Sequence, residues 1–137
     1  MAVRVKAKIR NKLNNKEIES VVLLNAGYET AEPEIILPVK AAESLGLWPS
    51  LPEGSHFESY RTVSQEVRLI KTPKCIEVIF YDKRVKCCAT ISEFENEIIF
   101  NDKLTGELEI IFEDVGKGFW RRKGEKEIKE SESPQYW

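Results

Sequence analysis

The stretch Val21-Val22-Leu23-Leu24-Asn25-Ala26-Gly27 decides the fold of this chain. Four consecutive apolar residues are typical of a buried strand, and the polar, small and Gly residues behind them end it abruptly. Asn25 therefore projects from the end of a rigid strand, and Gly27 lets the backbone turn sharply or come close to another chain. This strand end is the candidate site.

The flanking sequence predicts a mainly β domain with two short helices. Residues 3–10 alternate apolar and basic side chains, which is typical of a half-buried antiparallel strand. Residues 18–24 are apolar almost throughout, so we expect this second strand of a hairpin to be buried on both faces. The remaining predicted elements are a strand over 34–37, a helix over 39–45 with Pro38 at its N1 position and Gly46 after its end, a hairpin strand over 58–70, strands over 75–80, 85–91 and 97–100, a helix over 102–108 and a last strand over 109–113.

Composition places the chain among ordinary globular domains. It has 137 residues, of which 42% are hydrophobic and 32% are charged, and this fits a single domain. No apolar run approaches the roughly 20 residues that span a bilayer, and the N-terminus lacks the apolar core of a signal peptide. We expect a cytoplasmic protein without membrane contact, organised as a domain over residues 1–122 and a polar, mobile C-terminal tail over 123–137.

Charge and cysteine content exclude several function classes. The 21 basic and 23 acidic residues give a net charge of −2, which argues against a dedicated nucleic-acid binder. Three cysteines do not make a disulfide framework. Because His56 is the single histidine, a zinc site would need unusual ligands, and a histidine base could come from this residue alone. We predict no metal and no cofactor, and we interpret His56 as a surface residue.

The sequence also contains an internal repeat. Residues 22–48 placed over residues 85–111, an offset of 63 without gaps, match at eight of 27 positions, including Glu34-Ile35-Ile36 over Glu97-Ile98-Ile99. Background composition would give about two matches. The order strand, loop, strand, helix coincides as well, which favours two related units. In this alignment Cys88 falls opposite Asn25, and its apolar surroundings predict an inert buried thiol.

These features together resemble the retropepsin-like aspartic proteases, the retroviral-protease type. The family motif is two apolar residues followed by Asp-Thr/Ser-Gly, and Leu23-Leu24-Asn25-Ala26-Gly27 stands at that place. Residues 34–38 stand at the following inner strand, Ile98-Ile99-Phe100-Asn101-Asp102 at the apolar-apolar-Gly-Arg/Asn-Asp segment, and residues 103–108 at the C-terminal helix. Residues 116–121 look like the ending of small archaeal members. The resemblance covers residues 3–122 and implies a retropepsin-like acid protease barrel with two short helices and an internal strand–loop–strand–helix duplication.

The departures from the family pattern concern the chemistry. Asn25 replaces the catalytic Asp, Ala26 replaces the hydroxyl residue that ties two such loops together, and Phe100 stands where Gly is expected. In the family, two carboxylates share a proton, and one of them takes a proton from water. An amide does not titrate and does neither proton step. The alternative interpretation of Asn25 is a turn residue that caps its own loop.

The resemblance also places candidate binding residues around this strand end. Residues 57–68 take the position of the flap that covers substrate, although Val63-Ser64-Gln65 at its tip contains no Gly. The aromatic residues of the flap would contact a bound peptide or pack against the sheet. Glu29, Glu32 and Glu34 would place a carboxylate near the cleft or form an acidic solvated loop, and we favour the loop. The candidate binding residues are Tyr28, Glu29, Phe57, Tyr60, Ser64 and Gln65.

Three hypotheses of function follow. The favoured one is a noncatalytic relative that binds a peptide or protein, or assembles as a homodimer in which the strand over residues 3–9 pairs across a two-fold axis. The second is an aspartic-type endopeptidase with altered site chemistry. The weakest is a nucleic-acid-binding module that uses Arg4, Lys6, Lys8, Arg10 and residues 121–123, since the overall charge is acidic.

Overall fold

The structure, a computed structural model, describes residues 2–61 and 63–137 and is mainly β with two short helices. Met1, where the predicted domain begins, and Thr62, in the predicted flap, lie outside the described residues. The strands are β1 (Arg4–Asn11), β2 (Glu17–Leu24), β3 (Glu34–Pro38), β4 (His56–Arg61), β5 (Glu66–Lys71), β6 (Ile76–Phe80), β7 (Lys83–Ser92), β8 (Ile98–Phe100), β9 (Ile110–Asp114), β10 (Phe119–Arg122) and β11 (Lys129–Glu130), and the helices are α1 (Val39–Ser44) and α2 (Asp102–Glu107).

Six strands close into a barrel. The order in the main sheet is β3-β8-β2-β1-β6-β7-β5-β4, and an additional β3–β7 pairing joins the ring. The β4–β5 hairpin continues the sheet outward from β7, and β11-β10-β9 form a separate three-stranded sheet. Closure leaves the six ring strands without a free edge over most of their length.

The predicted hairpin β1–β2 is confirmed, with Arg4 opposite Leu23 and Arg10 opposite Glu17. The prediction that β2 is buried on both faces is wrong. Burial alternates along it, with Val22 and Leu24 in the core and Glu19 exposed. The wall of a closed barrel has one inner face, so a strand in it alternates even where the sequence is continuously apolar.

The two predicted units are interlocked. The first strand of each unit runs parallel to the second strand of the other, β2 beside β8 and β7 beside β3. At the centre β3 and β8 run antiparallel, and Ile36 lies directly opposite Ile99. These two residues are equivalent under the 63-residue offset, so a local two-fold axis passes between them.

Both helices begin at equivalent positions, at an N-cap residue that follows the second strand of each unit. Asn101 caps α2 through its side chain, whereas Pro38 is the N-cap of α1 and not its N1 residue as predicted. Gly46 follows the C-cap of α1 with a φ of 71°, the left-handed conformation that ends helices.

The alignment of the first strands, however, is wrong by four residues. Leu24 lies beside Phe100, whereas Leu37, the counterpart of Phe100, lies beside Ile91. Ser92, not Cys88, therefore takes the position of Asn25. The cause is loop length: residues 25–33 connect β2 to β3, and the shorter segment 93–97 connects β7 to β8. The alignment with a constant offset of 63 residues contains no gap and therefore cannot account for two loops of different length.

The C-terminal segment, residues 123–137, contacts the barrel, in contrast to the mobile tail that its polar composition predicts. Ser131 Oγ accepts a hydrogen bond from the Arg4 amide at 2.7 Å. The Trp137 ring packs against the core, and its Nε1 donates to Ser20 Oγ at 3.0 Å. Trp137 and a few hydrogen bonds therefore hold this segment against the barrel, although most of its residues are polar. Among the described residues, no helix is long and apolar enough to cross a membrane.

Candidate functional site

The Asn25-Ala26-Gly27 loop lies at the end of β2 and is exposed. Asn25 Oδ1 accepts a hydrogen bond from the Gly27 amide at 3.0 Å. The Asn25 amide nitrogen donates to the Phe100 carbonyl at 3.1 Å, and the Asn25 carbonyl accepts from the Tyr28 amide at 3.1 Å. Asn25 thus caps its own loop, as the turn interpretation of this residue predicts.

Close contact explains the Gly in this triplet. A Cβ placed on Gly27 would lie 3.3 Å from Asn25 Oδ1, so a side chain there would press on the loop-capping amide. Ala26 is exposed and presents a methyl group to solvent. The triplet therefore supplies an amide and a methyl group at the surface, and neither of them titrates.

Directly behind the loop lies a buried polar cluster that the sequence did not reveal. Its centre is Glu34, the first residue of β3, which is 1% exposed. Lys71 Nζ lies 3.0 Å from Glu34 Oε1, while the Tyr60 hydroxyl donates to Glu34 Oε2 at 3.0 Å. The Tyr28 hydroxyl also donates to Oε2. Thr90 Oγ1 lies 3.0 Å from the Tyr60 oxygen, and these five residues form the Glu34 cluster.

Proton accounting fixes the direction of these bonds. A Tyr hydroxyl carries one proton, and since Tyr60 gives its proton to Glu34, the Thr90 hydroxyl donates to the Tyr60 oxygen. Both carboxylate oxygens of Glu34 are then satisfied, and Lys71 balances its charge. The Glu34 cluster is a closed arrangement that joins the Asn25 loop, β3, the hairpin and β7.

Burial and charge raise the pKa of three members of the cluster, Tyr28, Tyr60 and Lys71. Burial raises the pKa of Tyr28 and of Tyr60, and the Glu34 charge raises both further, while the Thr90 hydrogen bond opposes the rise at Tyr60. Desolvation lowers the pKa of Lys71, but its contacts with Glu34 outweigh this and raise it overall. These three side chains therefore hold their protons more tightly than free Tyr and Lys side chains do.

A second anchor is Asn101, fully buried at the start of α2. Its Nδ2 donates to Thr30 Oγ1 at 2.7 Å and to the Glu32 carbonyl at 2.8 Å. Its Oδ1 accepts from the Leu104 amide and the Glu34 amide, each at 3.0 Å. One amide side chain thus caps the helix and fixes the far end of the Asn25 loop.

The acidic residues of this loop differ in their surroundings. Glu29 and Glu32 are exposed, in line with the expected solvated loop. For Glu34 that expectation is wrong, because it directly precedes the apolar run 35–37 and enters the barrel wall with it. Its position at the start of an apolar strand was the signal that could have predicted its burial.

The hairpin separates the candidate binding residues. Cross-strand pairs share a face, so Tyr60 lies with Val67 on one face and Phe57 with Ile70 on the other. Tyr60 turns toward Tyr28, with ring centroids 6.5 Å apart. Phe57 is 62% exposed on the opposite face. The structure therefore brings Tyr28 and Tyr60 together but does not bring Phe57 to them.

Ser64 and Gln65 are exposed in the connection between the two strands of the hairpin, where the flap tip was predicted. His56 is exposed as well, and its Nε2 lies 3.0 Å from Glu58 Oε1, a contact that raises its pKa. Cys88 is buried, and burial raises the pKa of its thiol, which disfavours the reactive thiolate. These placements agree with the surface histidine and the inert thiol.

The Asn25-Ala26-Gly27 triplet offers hydrogen-bonding groups but no side chain that takes up a proton from water. Among the described residues, no group of His, Cys, Asp and Glu side chains could hold a metal ion. The residues that the sequence missed are Lys71 in β5, Thr90 in β7 and Asn101 before α2, and they come together around Glu34 only in the fold. Neither a protein-family model nor a curated protein matches the chain.

Proposed function

We propose that this chain is a noncatalytic retropepsin-like domain that binds a peptide or protein segment, or assembles as a homodimer, through the face formed by the Asn25 loop and the β4–β5 hairpin. The closed six-stranded barrel and the crossed parallel pairs around Ile36 and Ile99 support this assignment. So does the position of Asn25 at the end of the first strand of a unit.

The observation that carries the proposal is the hydrogen bonding of the Asn25 side chain. Its Oδ1 is engaged with the Gly27 amide, and an amide neither accepts a proton from water nor donates one to a scissile carbonyl at the rates catalysis needs. The nearby carboxylate of Glu34 is held by Lys71 and two Tyr hydroxyls. A carboxylate locked in this way is a poor substitute for the missing acid.

Binding is favoured by the edge of the hairpin. β4 stands at the end of the eight-stranded sheet, and among the described residues no strand pairs with its outer side. An exposed edge offers backbone N–H and C=O groups to an extended segment, and side chains on alternate positions then select the partner. The Asn25 loop lies next to this hairpin through the Tyr28–Tyr60 contact.

The proposed homodimer uses a different edge from the one expected. We predicted pairing through the strand over residues 3–9, but β1 already pairs with β2 and β6, and Arg4 contacts Ser131. The edge of β4 is the alternative. Sedimentation of the purified chain at micromolar concentration should give twice 15.8 kDa, and a single-chain mass at all concentrations would leave peptide binding as the function.

Catalysis is tested with a random peptide library at pH 3–7, read by mass spectrometry. We expect no cleavage by the natural chain or by Asn25→Asp, because Ala26 lacks the bracing hydroxyl and misplacement by about 1 Å costs roughly a hundredfold in rate. Activity that appears in Asn25→Asp/Ala26→Thr would locate the loss at both positions. Cleavage by the natural chain, blocked by a transition-state analogue, would contradict the proposal.

Binding is tested on an array of extended peptides with a matched pair of variants. Ala26→Arg places a long charged side chain on the proposed face, while Ser44→Arg adds the same side chain at the end of α1, near the β1–β2 turn and outside that face. Both positions are exposed, so both variants should fold. We expect Ala26→Arg to abolish capture of peptides that Ser44→Arg retains, and equal capture by the two would contradict this binding face.

A further inference from the structure

An apolar groove of about 190 Å³ lies on the face of the β4–β5 hairpin opposite to Tyr60. Phe57 on β4, Ile70 on β5 and Ile91 on β7 stand side by side in neighbouring strands and all line it. Its lining also includes Trp48 and Phe94, and we call it the Phe57 groove. None of the residues that line it belongs to the Asn25 loop or to the Glu34 cluster.

The groove has aromatic surface that is open to water. Phe57 is 62% exposed and Phe94 is 82% exposed, while Trp48 between them in burial is half-buried. Single exposed apolar side chains are ordinary, but two exposed rings that line one groove form a patch. Such a patch is typical of a surface that a partner covers.

The groove reaches the open edge of the sheet, because Phe57 belongs to β4. Side chains alternate along a strand, so Ser59 and Arg61 lie on the same face as Phe57. A segment that pairs with the outer side of β4 would place one side chain opposite Phe57 on this face. The next side chain on the face, two positions along the segment, would lie opposite Ser59.

The charges beside Ser59 are positive. Arg68 stands opposite Ser59 on β5, and its guanidinium carbon lies 5.1 Å from the centroid of the Phe57 ring, so this side chain leans over β4. Arg61 follows Ser59 on the same face. Neither arginine takes part in an ion pair with another described residue. Ser59 itself is small and exposed, and leaves room between them.

We propose that the Phe57 groove and the edge of β4 together bind an extended peptide in which an acidic side chain and a large apolar side chain lie two positions apart. The apolar side chain lies opposite Phe57 and covers its ring. The acidic side chain lies opposite Ser59, where its carboxylate meets Arg61 and Arg68. This inference rests on the proposed function, in which the hairpin edge binds a peptide, and it names the side chains that the peptide carries.

The combination of an open edge, exposed rings and two unpaired arginines distinguishes this partner from others. A basic peptide would face like charge at Ser59. The β4 strand of a second copy carries no carboxylate on this face, so it matches the apolar part alone. The carboxylates of the face, Glu66 on β5 and Glu93 after β7, belong to elements one and two strands in from the edge.

The test is a fluorescence anisotropy titration of the full chain with two labelled peptides, Thr-Thr-Glu-Thr-Phe-Thr-Thr and the same peptide with Glu and Phe exchanged. Two orders are needed because a strand can pair with β4 in either direction. We expect saturable binding of at least one of them. Replacing its Glu by Lys, or its Phe by Ser, should each weaken binding roughly tenfold or more.

Variants of the protein locate the contacts. Arg68→Glu should reverse the preference, so that the Lys peptide binds more tightly than the Glu peptide. Phe57→Ala should weaken binding of the Phe-containing peptides roughly tenfold. Both side chains are exposed, so both variants should fold. Lys126→Glu makes the same change of charge as Arg68→Glu at an exposed residue outside the hairpin, and it should keep the preference for Glu.

Equal affinity of the natural chain for the Glu and Lys peptides, an unchanged preference in Arg68→Glu, or no saturable binding at millimolar peptide would each overturn this inference. If the natural chain then still captures other peptides that Ala26→Arg does not, the proposed function stands without it. A chain that captures no peptide and has a single-chain mass would contradict both. A dimer that dissociates in Phe57→Ala and binds neither peptide would show that a second copy occupies the groove, and would overturn the inference as well.

Discussion

Two strand ends, at Asn25 and at Ser92, occupy equivalent places in the two units and make the same local contact. Asn25 Oδ1 accepts from the amide two residues ahead at 3.0 Å, and Ser92 Oγ does so at 3.1 Å. Their surroundings differ, because Asn25 is exposed and Ser92 is 2% exposed. The shared backbone geometry does not by itself make a site; exposure and the longer loop distinguish the first strand end.

The glutamates Glu34 and Glu97 are a second equivalent pair with different partners. Glu34 is buried against Lys71, whereas Glu97 forms a two-pronged ion pair with Arg4 near the surface, at 2.7 and 3.0 Å. Water reaches the Glu97 carboxylate, whose side chain is 13% exposed, but not that of Glu34, which is 1% exposed. The same residue type at the same strand position is therefore structural in one unit and peripheral in the other.

The largest effect should come from breaking the buried pair. Lys71→Met leaves the Glu34 carboxylate buried without its counter-charge, and we expect the free energy of unfolding to fall by about 3 kcal/mol. Arg4→Met leaves a Glu97 carboxylate that water still reaches, so it should cost less, about 1 to 2 kcal/mol. Urea unfolding followed by circular dichroism measures both, and equal losses would show that the two glutamates are equivalent after all.

The two helix N-caps give the next contrast. Asn101→Ala removes four hydrogen bonds and leaves the backbone amides of Glu34 and Leu104 without their acceptor. We therefore expect a loss of about 2 kcal/mol in the free energy of unfolding. Pro38 makes no side-chain cap bond, and Pro38→Ala should change stability by less than about 1 kcal/mol. Hydrogen exchange should accelerate over residues 30–34 in the first variant; a greater loss in Pro38→Ala would refute the assignment of Asn101 as the anchor.

Alkaline pH should act on the first unit through the Glu34 cluster. Tyr60 and Lys71 have ordinary pKa values of 10.0 and 10.5, and both are raised in the fold. Their stabilisation is therefore complete below about pH 10 and is lost as pH rises further, because the unfolded chain releases these protons first. Buried thiols such as Cys87 act in the same direction from about pH 9.

Urea unfolding between pH 8 and pH 11 measures this effect. In Tyr60→Phe the fall in the free energy of unfolding above pH 10 should be smaller than in the natural chain, since one of the titrating groups is gone. The same fall in both proteins would remove Tyr60 from the cause.

The smallest effect should come from the two loop-capping side chains. Ser92→Ala removes a buried hydroxyl and leaves the Phe94 amide, in a part-buried hydrogen bond, without its acceptor, and it should cost about 1 kcal/mol. In Asn25→Ala water replaces the lost acceptor of an exposed hydrogen bond, and the cost should be about 0.5 kcal/mol or less. Thermal unfolding resolves the order of the two. The reverse order would mean that the Asn25 loop, and not the Ser92 loop, is the more tightly held.

Local sequence patterns predicted the elements well, because hairpin β1–β2 and the two helices depend on nearby residues. They could not predict the Glu34 cluster, since Lys71 and Thr90 reach it from strands far along the chain. The correspondence of Cys88 with Asn25 was wrong because the second loop is shorter. The hydrogen bond from Trp137 to Ser20 could not be predicted either, because it joins distant parts of the chain.

The crossed pairing of β2 with β8 and of β3 with β7 has a consequence for biosynthesis. As the chain leaves the ribosome, β3 emerges long before β7 and β8, the strands it pairs with. Until Ser92 has been translated, β3, which is almost entirely buried in the finished barrel, has an unpaired backbone on both sides and is open to aggregation or chaperone capture. A ribosome stalled between residues 81 and 98 should therefore hold a nascent chain that is not yet folded, whatever the stability of the finished barrel.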